Sequence, residues 1–82
     1  MAERYEYQVC QVQSARVTFV NGVWVGGVQP SSDNYQAALG SCPAVWDYLQ
    51  EAGREGWELV GAHSQPTAGE VLEKLYLKRG GF

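Results

Sequence analysis

The chain has little of several residue types that would point directly to a class of protein. Its 82 residues include two cysteines, three prolines and one methionine, and six basic residues stand against nine acidic ones. No apolar run approaches the roughly 20 residues that span a bilayer, so no membrane span is predicted. Residues 1–7 lack the apolar segment of a secretory signal, and a cytoplasmic location is therefore expected.

The few cysteines and the acidic balance exclude two further classes. Cys10 and Cys42 are far apart and too few for a secreted disulfide scaffold, so we expect buried, unpaired thiols. The net charge of -3 argues against nucleic acid as a partner, because phosphate binding needs dense Lys and Arg.

The length predicts one small domain over residues 1–82. A chain of this size buries only about 60% of the surface that its unfolded form exposes, so the core is expected to be thin. Domains of this kind often gain stability from a metal, a disulfide or a partner subunit.

Three strands are predicted before residue 29. The first runs over residues 4–13, with Tyr5, Tyr7 and Val9 on one side and the alternate residues on the other. Residues 15–20 and 23–28 are the second and third predicted strands, and Asn21 and Gly22 connect them. Asn-Gly between two apolar runs predicts a type I′ hairpin turn, since both residues tolerate positive φ.

A loop over residues 29–41 and a helix follow. The loop is rich in Ser, Pro and Asn, and residues 35–39 in it favour a helical turn. Pro43 suits the first helical position, which places Ser41 or Cys42 near the N-cap. Gly56 is positioned to end the helix in a left-handed conformation, and Trp57 can fold back onto the last turn.

Two final strands are predicted over residues 57–64 and 71–79, joined by a hairpin loop over residues 65–70. Leu75 and Leu77 alternate with polar neighbours, so one face is expected to be buried. If the terminal strands lie side by side, Glu6 and Gln8 are expected to face Lys78 and Tyr76 on the solvated face. The predicted fold is α+β: an antiparallel sheet of four to five strands, in the chain order β-β-β-α-β-β, with one helix packed on one face.

Three short motifs resemble those of a small bacterial family of unknown function. They are Tyr-Glu-Tyr-Gln-Val at 5–9, Gly-Arg-Glu-Gly-Trp-Glu-Leu-Val at 53–60 and Tyr-Leu-Lys-Arg at 76–79. The family pattern has Lys at the position of Gln8 and an aromatic residue at that of Leu77, and the Asn-Gly hairpin with its loop resembles an insertion. The resemblance implies a compact, soluble, antiparallel α+β domain and supplies no catalytic residues.

Candidate chemistry in the sequence is sparse. Cys42 near a helix N-terminus and His63, the one histidine, could form a thiol and base pair, but no third residue is indicated to orient them. The carboxylates do not follow a calcium-loop spacing, and no zinc ligand pattern surrounds His63. We therefore predict no enzyme activity, no metal and no cofactor.

Both faces of the hairpin over residues 17–28 are apolar. This is unusual, because the single predicted helix can cover only one face of the sheet. We predict a homo-oligomer, a dimer by preference, with an interface at Thr18, Val20, Val23 and Val25. The alternative is that valines reflect strand propensity alone. A second functional hypothesis is a small-ligand pocket under the 29–41 loop, lined by Trp24, Tyr35 and Trp46.

Overall fold

A computed structural model of the chain describes residues 4–67 and 70–80 and shows an α+β fold with one antiparallel sheet. The described residues contain two short helices, one more than the predicted fold, and the first covers residues 35–39, for which a helical turn was predicted. In chain order, the elements are β1 (Tyr5–Gln13), β2 (Arg16–Val20), β3 (Val23–Trp24), α1 (Tyr35–Gly40), α2 (Val45–Arg54), β4 (Glu58–Thr67) and β5 (Glu70–Gly80).

The five strands lie in the order β3-β2-β1-β5-β4, so the first and last strands of the chain pair at the middle of the sheet. All neighbouring strands are antiparallel. A bulge in the β1–β2 pair directs both Val17 and Thr18 into the protein, where both are fully buried.

The Asn-Gly turn has the predicted geometry. Asn21 has φ 50° and Gly22 has φ 82°, and the flanking pairs are Phe19 with Trp24 and Val20 with Val23. The third strand nevertheless ends at Trp24, four residues before the predicted end.

Tertiary contacts explain this early end. The Trp24 Nε1 donates a hydrogen bond to the Val28 carbonyl at 2.9 Å, which folds the chain back on itself. A Cβ on Gly26 would lie 2.6 Å from Ser41 Oγ and 2.9 Å from Cys42 Sγ. Only glycine allows this close approach of the hairpin to the segment before α2.

The pairing of the two terminal strands differs from the prediction by one residue. Glu6 was expected opposite Lys78, but the structure pairs Glu6 with Arg79 and Tyr7 with Lys78. Because side chains alternate along a strand, this shift moves Glu6 and Gln8 from the expected solvated face to the face that α2 covers.

The start of α2 also differs from the prediction. The chain is extended at Ala44, with ψ 147°, and the helix begins at Val45 without a side-chain cap. The cause lies in the preceding residues, which pair with the edge of β2: Val17 N donates to the Pro43 carbonyl at 2.9 Å, and Val45 N donates to the Ala15 carbonyl at 3.0 Å.

The end of α2 is as predicted. Gly56 has φ +91°, its N–H donates to the Gly53 carbonyl at 3.0 Å, and the Trp57 N–H donates to the Ala52 carbonyl at 3.0 Å. These two bonds satisfy the carbonyls of the last turn as a Schellman motif does.

The core lies between α2 and one face of the sheet. Its buried members are Cys10, Val12, Val17, Ala52, Leu75 and Leu77. Val20, Val45, Tyr48, Leu49 and Trp57 are partly buried against it. The predicted burial of alternate residues in the last strand is confirmed by Leu75 and Leu77.

The predicted hairpin loop over residues 65–70 is largely strand. β4 continues to Thr67 and β5 begins at Glu70, while Ala68 and Gly69 lie outside the described residues. No helix in residues 4–67 or 70–80 is long and apolar enough to cross a membrane.

Candidate functional site

An open cleft of about 390 Å³ lies where the β1–β2 turn, α1 and the beginning of β5 meet. This volume falls in the range of roughly 300–1,000 Å³ that small-molecule sites occupy. The lining residues come from three distant parts of the chain: Gln13, Ser14, Ala15, Tyr35, Gln36, Leu39, Val71 and Glu73.

The structure brings one of the three predicted pocket residues to this cleft. Tyr35 lines it from the first turn of α1. Trp46 is on α2 and is 70% exposed, and Trp24 packs edge-on against Phe19 with ring centroids 5.3 Å apart. The cleft is thus bounded by the end of the 29–41 segment and not by the tryptophans.

One wall of the cleft is a turn in an uncommon backbone conformation. Ser14 has φ 50° and Ala15 has φ 60°, although neither is glycine. The two-residue turn between Gln13 and Arg16 requires positive φ at both positions, at a cost of roughly 1–2 kcal/mol for each L-residue. The hydrogen bond from Val45 N to the Ala15 carbonyl, at 3.0 Å, holds the turn in place.

The opposite wall is braced by side-chain hydrogen bonds before α1. The Asn34 Oδ1 accepts from Ser31 N at 2.8 Å and from Ser31 Oγ at 2.7 Å, while Asn34 Nδ2 donates to the Gln29 carbonyl at 3.2 Å. Ser41 Oγ, just after α1, accepts from Val28 N at 3.1 Å. The segment that carries Tyr35 is therefore tied at both ends.

The cleft is polar with an acidic character. Two amides, one hydroxyl and one phenol accompany a single carboxylate, that of Glu73, and the lining contains no Lys, Arg or His. Within residues 4–67 and 70–80, no basic side chain forms an ion pair with Glu73. A neutral or cationic molecule fits this lining better than an anion.

A second cavity of about 90 Å³ borders Gln8, Tyr48 and Trp57. The Gln8 side chain is buried, and its Oε1 accepts hydrogen bonds from the Tyr48 hydroxyl and, at 3.5 Å, from Cys10 Sγ. Burial raises the pKa of the Cys10 thiol and of the Tyr48 hydroxyl, and the neighbouring Cys10 raises that of Tyr48 further. Both groups stay protonated at neutral pH, as structural donors do.

Cys42 and His63 do not have the environments of a catalytic pair. Cys42 is buried below α1, and its Sγ donates to the Ala38 carbonyl at 3.6 Å. Burial raises the pKa of this thiol, with only a partial opposing effect of Arg16, whereas a nucleophilic cysteine needs a lowered pKa. Cys42 is also not the N-cap of α2, and His63 is exposed on β4 opposite Lys74.

The three motifs of the resemblance meet at one point in the structure. Arg79 donates to both carboxylate oxygens of Glu6, at 3.1 and 3.2 Å, and its guanidinium lies 4.5 Å from the centroid of the Trp57 ring. It also donates to the Glu55 carbonyl at 3.3 Å. These contacts join β1, β5 and the end of α2, so the motif residues have a clear structural role.

The described residues contain no group of three or more His, Cys, Asp or Glu side chains that could hold a metal ion.

The predicted interface residues divide into two sets. Thr18 is fully buried, and Val20 packs against the core, so neither is presented to a partner. Val23 is 65% exposed and Val25 is also exposed. The hairpin surface is therefore reduced to these two valines.

A larger apolar surface lies on the sheet face opposite α2. We call it the outer face and define it by Tyr5, Tyr7, Val9, Phe19 and Tyr76, whose register places them on this side. Tyr7 is 64% exposed and Tyr5 is exposed, while the other three are half-buried. The alternation along β1 predicted that Tyr5, Tyr7 and Val9 share a face. The expected pair of Glu6 with Lys78, however, assigned the opposite side of β1 to solvent.

Comparisons of the chain with protein-family models, with curated proteins and with solved structures each returned no match. The resemblance to the small bacterial family therefore stays a prediction.

Proposed function

We propose that the chain is a non-enzymatic homo-oligomeric interaction module that forms a dimer through the outer face. The observation that carries this proposal is the exposure of Tyr5 and Tyr7 beside Val9, Phe19 and Tyr76, on the face away from the core. Tyrosines of this kind provide large contact area at low entropic cost, and a contiguous apolar patch commonly marks an interface.

The area of the outer face is large enough for an interface with a second copy of the chain. Five strands at a spacing of about 4.8 Å, over about eight residues at 3.3 Å each, give roughly 24 by 26 Å, or about 600 Å² per subunit. The total of about 1,200 Å² is at the lower end of stable interfaces.

Two lysines lie on the outer face, and they differ in their surroundings: Lys74 has Gln11 and His63 opposite it, whereas Lys78 is next to an acidic residue and an aromatic ring. Lys78 is paired across the strands with Glu58, and its Nζ lies 4.9 Å from the centroid of the Tyr5 ring. A partner of the same sequence therefore meets an aromatic surface in which the Lys78 ammonium is already in contact with the Tyr5 ring.

A cytoplasmic location in a bacterium completes the proposal. Cys10 and Cys42 are both free and buried, as is usual for proteins of a reducing compartment. The bacterial source follows the motif resemblance.

Native mass spectrometry of the wild-type chain and of two double variants tests the interface. Tyr5→Glu with Tyr7→Glu places carboxylates beside Lys78, which preserves the sheet while charging the outer face. We expect a dimer for the wild type and a dissociation constant at least roughly 100-fold higher for this variant. The matched control, Val23→Lys with Val25→Lys, charges the hairpin and should leave the dimer intact.

Near-ultraviolet circular dichroism of each variant verifies the fold. Dissociation by the hairpin variant alone would move the interface to Val23 and Val25 and contradict the outer-face proposal. A monomeric wild type at high protein concentration would contradict homo-oligomerisation altogether.

A further inference from the structure

We propose that the cleft between the β1–β2 turn and α1 binds a small organic amine, with the Glu73 carboxylate as its ionic partner. The cleft is separate from the outer face, so this site is independent of dimer formation. It provides a cavity of suitable size, a charge of one sign and an apolar wall, and each property limits the ligand in a different way.

The charge of the lining selects a cation. Glu73 is the single ionised side chain among the eight lining residues, and none of them is basic. Glu73 lies opposite Val12 on one side and Ser64 on the other, so its strand neighbours offer no countercharge. A bound ammonium group gives Glu73 an ionic partner that the described part of the protein does not supply.

The polar groups around Glu73 are suited to an amine with several N–H donors. The side-chain carbonyls of Gln13 and Gln36 and the hydroxyl of Ser14 are acceptors in the same lining. An ammonium has three donors and no acceptor, so this set of acceptors matches it.

The remaining lining requires an apolar part on the ligand. Tyr35 is exposed at the cleft and Val71 is 57% exposed, with Leu39 beside them. An aromatic or aliphatic group would cover these side chains, and the Tyr35 ring can also contact the cation through its face. An amine with one apolar substituent therefore satisfies both halves of the cleft.

The β1–β2 turn gives the cleft a wall of defined shape. Ser14 and Ala15 keep positive φ angles at the wall of this cleft. A two-residue hairpin turn requires these angles, and a restraint from a neighbouring element fixes the position of the wall. The Val45 N to Ala15 carbonyl bond provides that restraint.

Titration with phenethylamine, followed by two-dimensional amide NMR, tests the site. Saturable shifts are expected at the amides of the lining residues, at millimolar amine. The neutral analogue 2-phenylethanol should bind roughly five- to tenfold more weakly, as one partly exposed charge contact implies. The anion 3-phenylpropanoate should produce no saturable shift there.

A matched pair of variants isolates the carboxylate. Glu73→Gln should weaken phenethylamine to the level of 2-phenylethanol and leave 2-phenylethanol unchanged, which also verifies that the cleft is intact. Glu58→Gln removes the same charge from a position outside the lining and should leave both affinities unchanged. Equal affinity of amine and alcohol for the wild type, or no shift of the lining amides, would overturn the proposal.

Discussion

The two faces of the sheet are built from alternate residues of the same strands and have opposite properties. Towards α2, Cys10 and Leu77 are buried in a thin apolar core. On the outer face, Tyr7 and Tyr76 are accessible although they are adjacent in sequence to buried positions. Stability is therefore concentrated on one side, and the other side is available for association.

The comparison also separates aromatic residues by role. Trp57 is partly buried against the core and contacts Arg79, whereas Tyr7 is 64% exposed. Substitutions on the α2 side should change the free energy of unfolding, and those on the outer face should change assembly.

The largest expected effect comes from truncating the core. Leu77 is 1% exposed, and Leu77→Ala should lower the free energy of unfolding by about 2–5 kcal/mol through lost burial and a residual cavity. Urea denaturation measures it. Tyr7→Ala on the outer face, measured in the monomer, should cost less than about 1 kcal/mol. Equal losses would show that the two faces contribute alike.

A smaller effect is expected where α2 ends over the core. Gly56→Ala places a Cβ at φ +91° and should destabilise the protein by about 1–2 kcal/mol. Gly53→Ala, within α2 and with nothing within 4 Å of the added Cβ, should stabilise it by about 0.5–1 kcal/mol. Thermal unfolding compares the two, and effects of the same sign would contradict the left-handed helix stop.

The smallest effect is a loss of stability in alkaline solution that originates on the α2 side. The folded chain holds the pKa of Cys10 above its ordinary 9.0 and that of Tyr48 above its ordinary 10.0. Both protons are retained in the folded state at a pH where the unfolded chain releases them. Stability is therefore complete below about pH 9 and falls as the pH rises through the folded pKa values.

Urea denaturation at a series of pH values measures this decline. Tyr48→Phe cannot ionise at that position, so its stability should fall less steeply than that of the wild type above about pH 9. Parallel curves for the two proteins would assign the decline to other groups.

The parts of the fold that could be predicted depend on local chemistry. Asn21 and Gly22 specify their turn by their tolerance of positive φ, and Gly56 ends its helix for the same reason. The alternation around Leu75 and Leu77 identifies a buried face directly. Each of these signals lies within a few residues of the structure that it determines.

The parts that were predicted wrongly depend on partners distant in the chain. The register of β1 on β5 is set across the sheet, and alternation alone does not distinguish Arg79 from Lys78 as the partner of Glu6. Pro43 suits a helix start, but a hydrogen bond from Val17 draws that segment into an extended edge.

The cleft shows the same limit. Tyr35 was predicted because a long loop surrounds it, whereas Val71 and Glu73 join it only through the placement of β5 beside β1. Ala15 carried no signal, since alanine is not a residue that turn chemistry selects for positive φ.

The position of β5 between β1 and β4 has a consequence for how the protein is made. During synthesis, β1, β2, β3 and the helix α2 all leave the ribosome before β5, the second strand that pairs with β1. Until then Cys10 and Val12 lack the core residues Leu75 and Leu77, so this side of β1 is incompletely covered. Folding of the sheet is therefore expected to wait for β5, and the apolar side of β1 is the surface that stays uncovered until then.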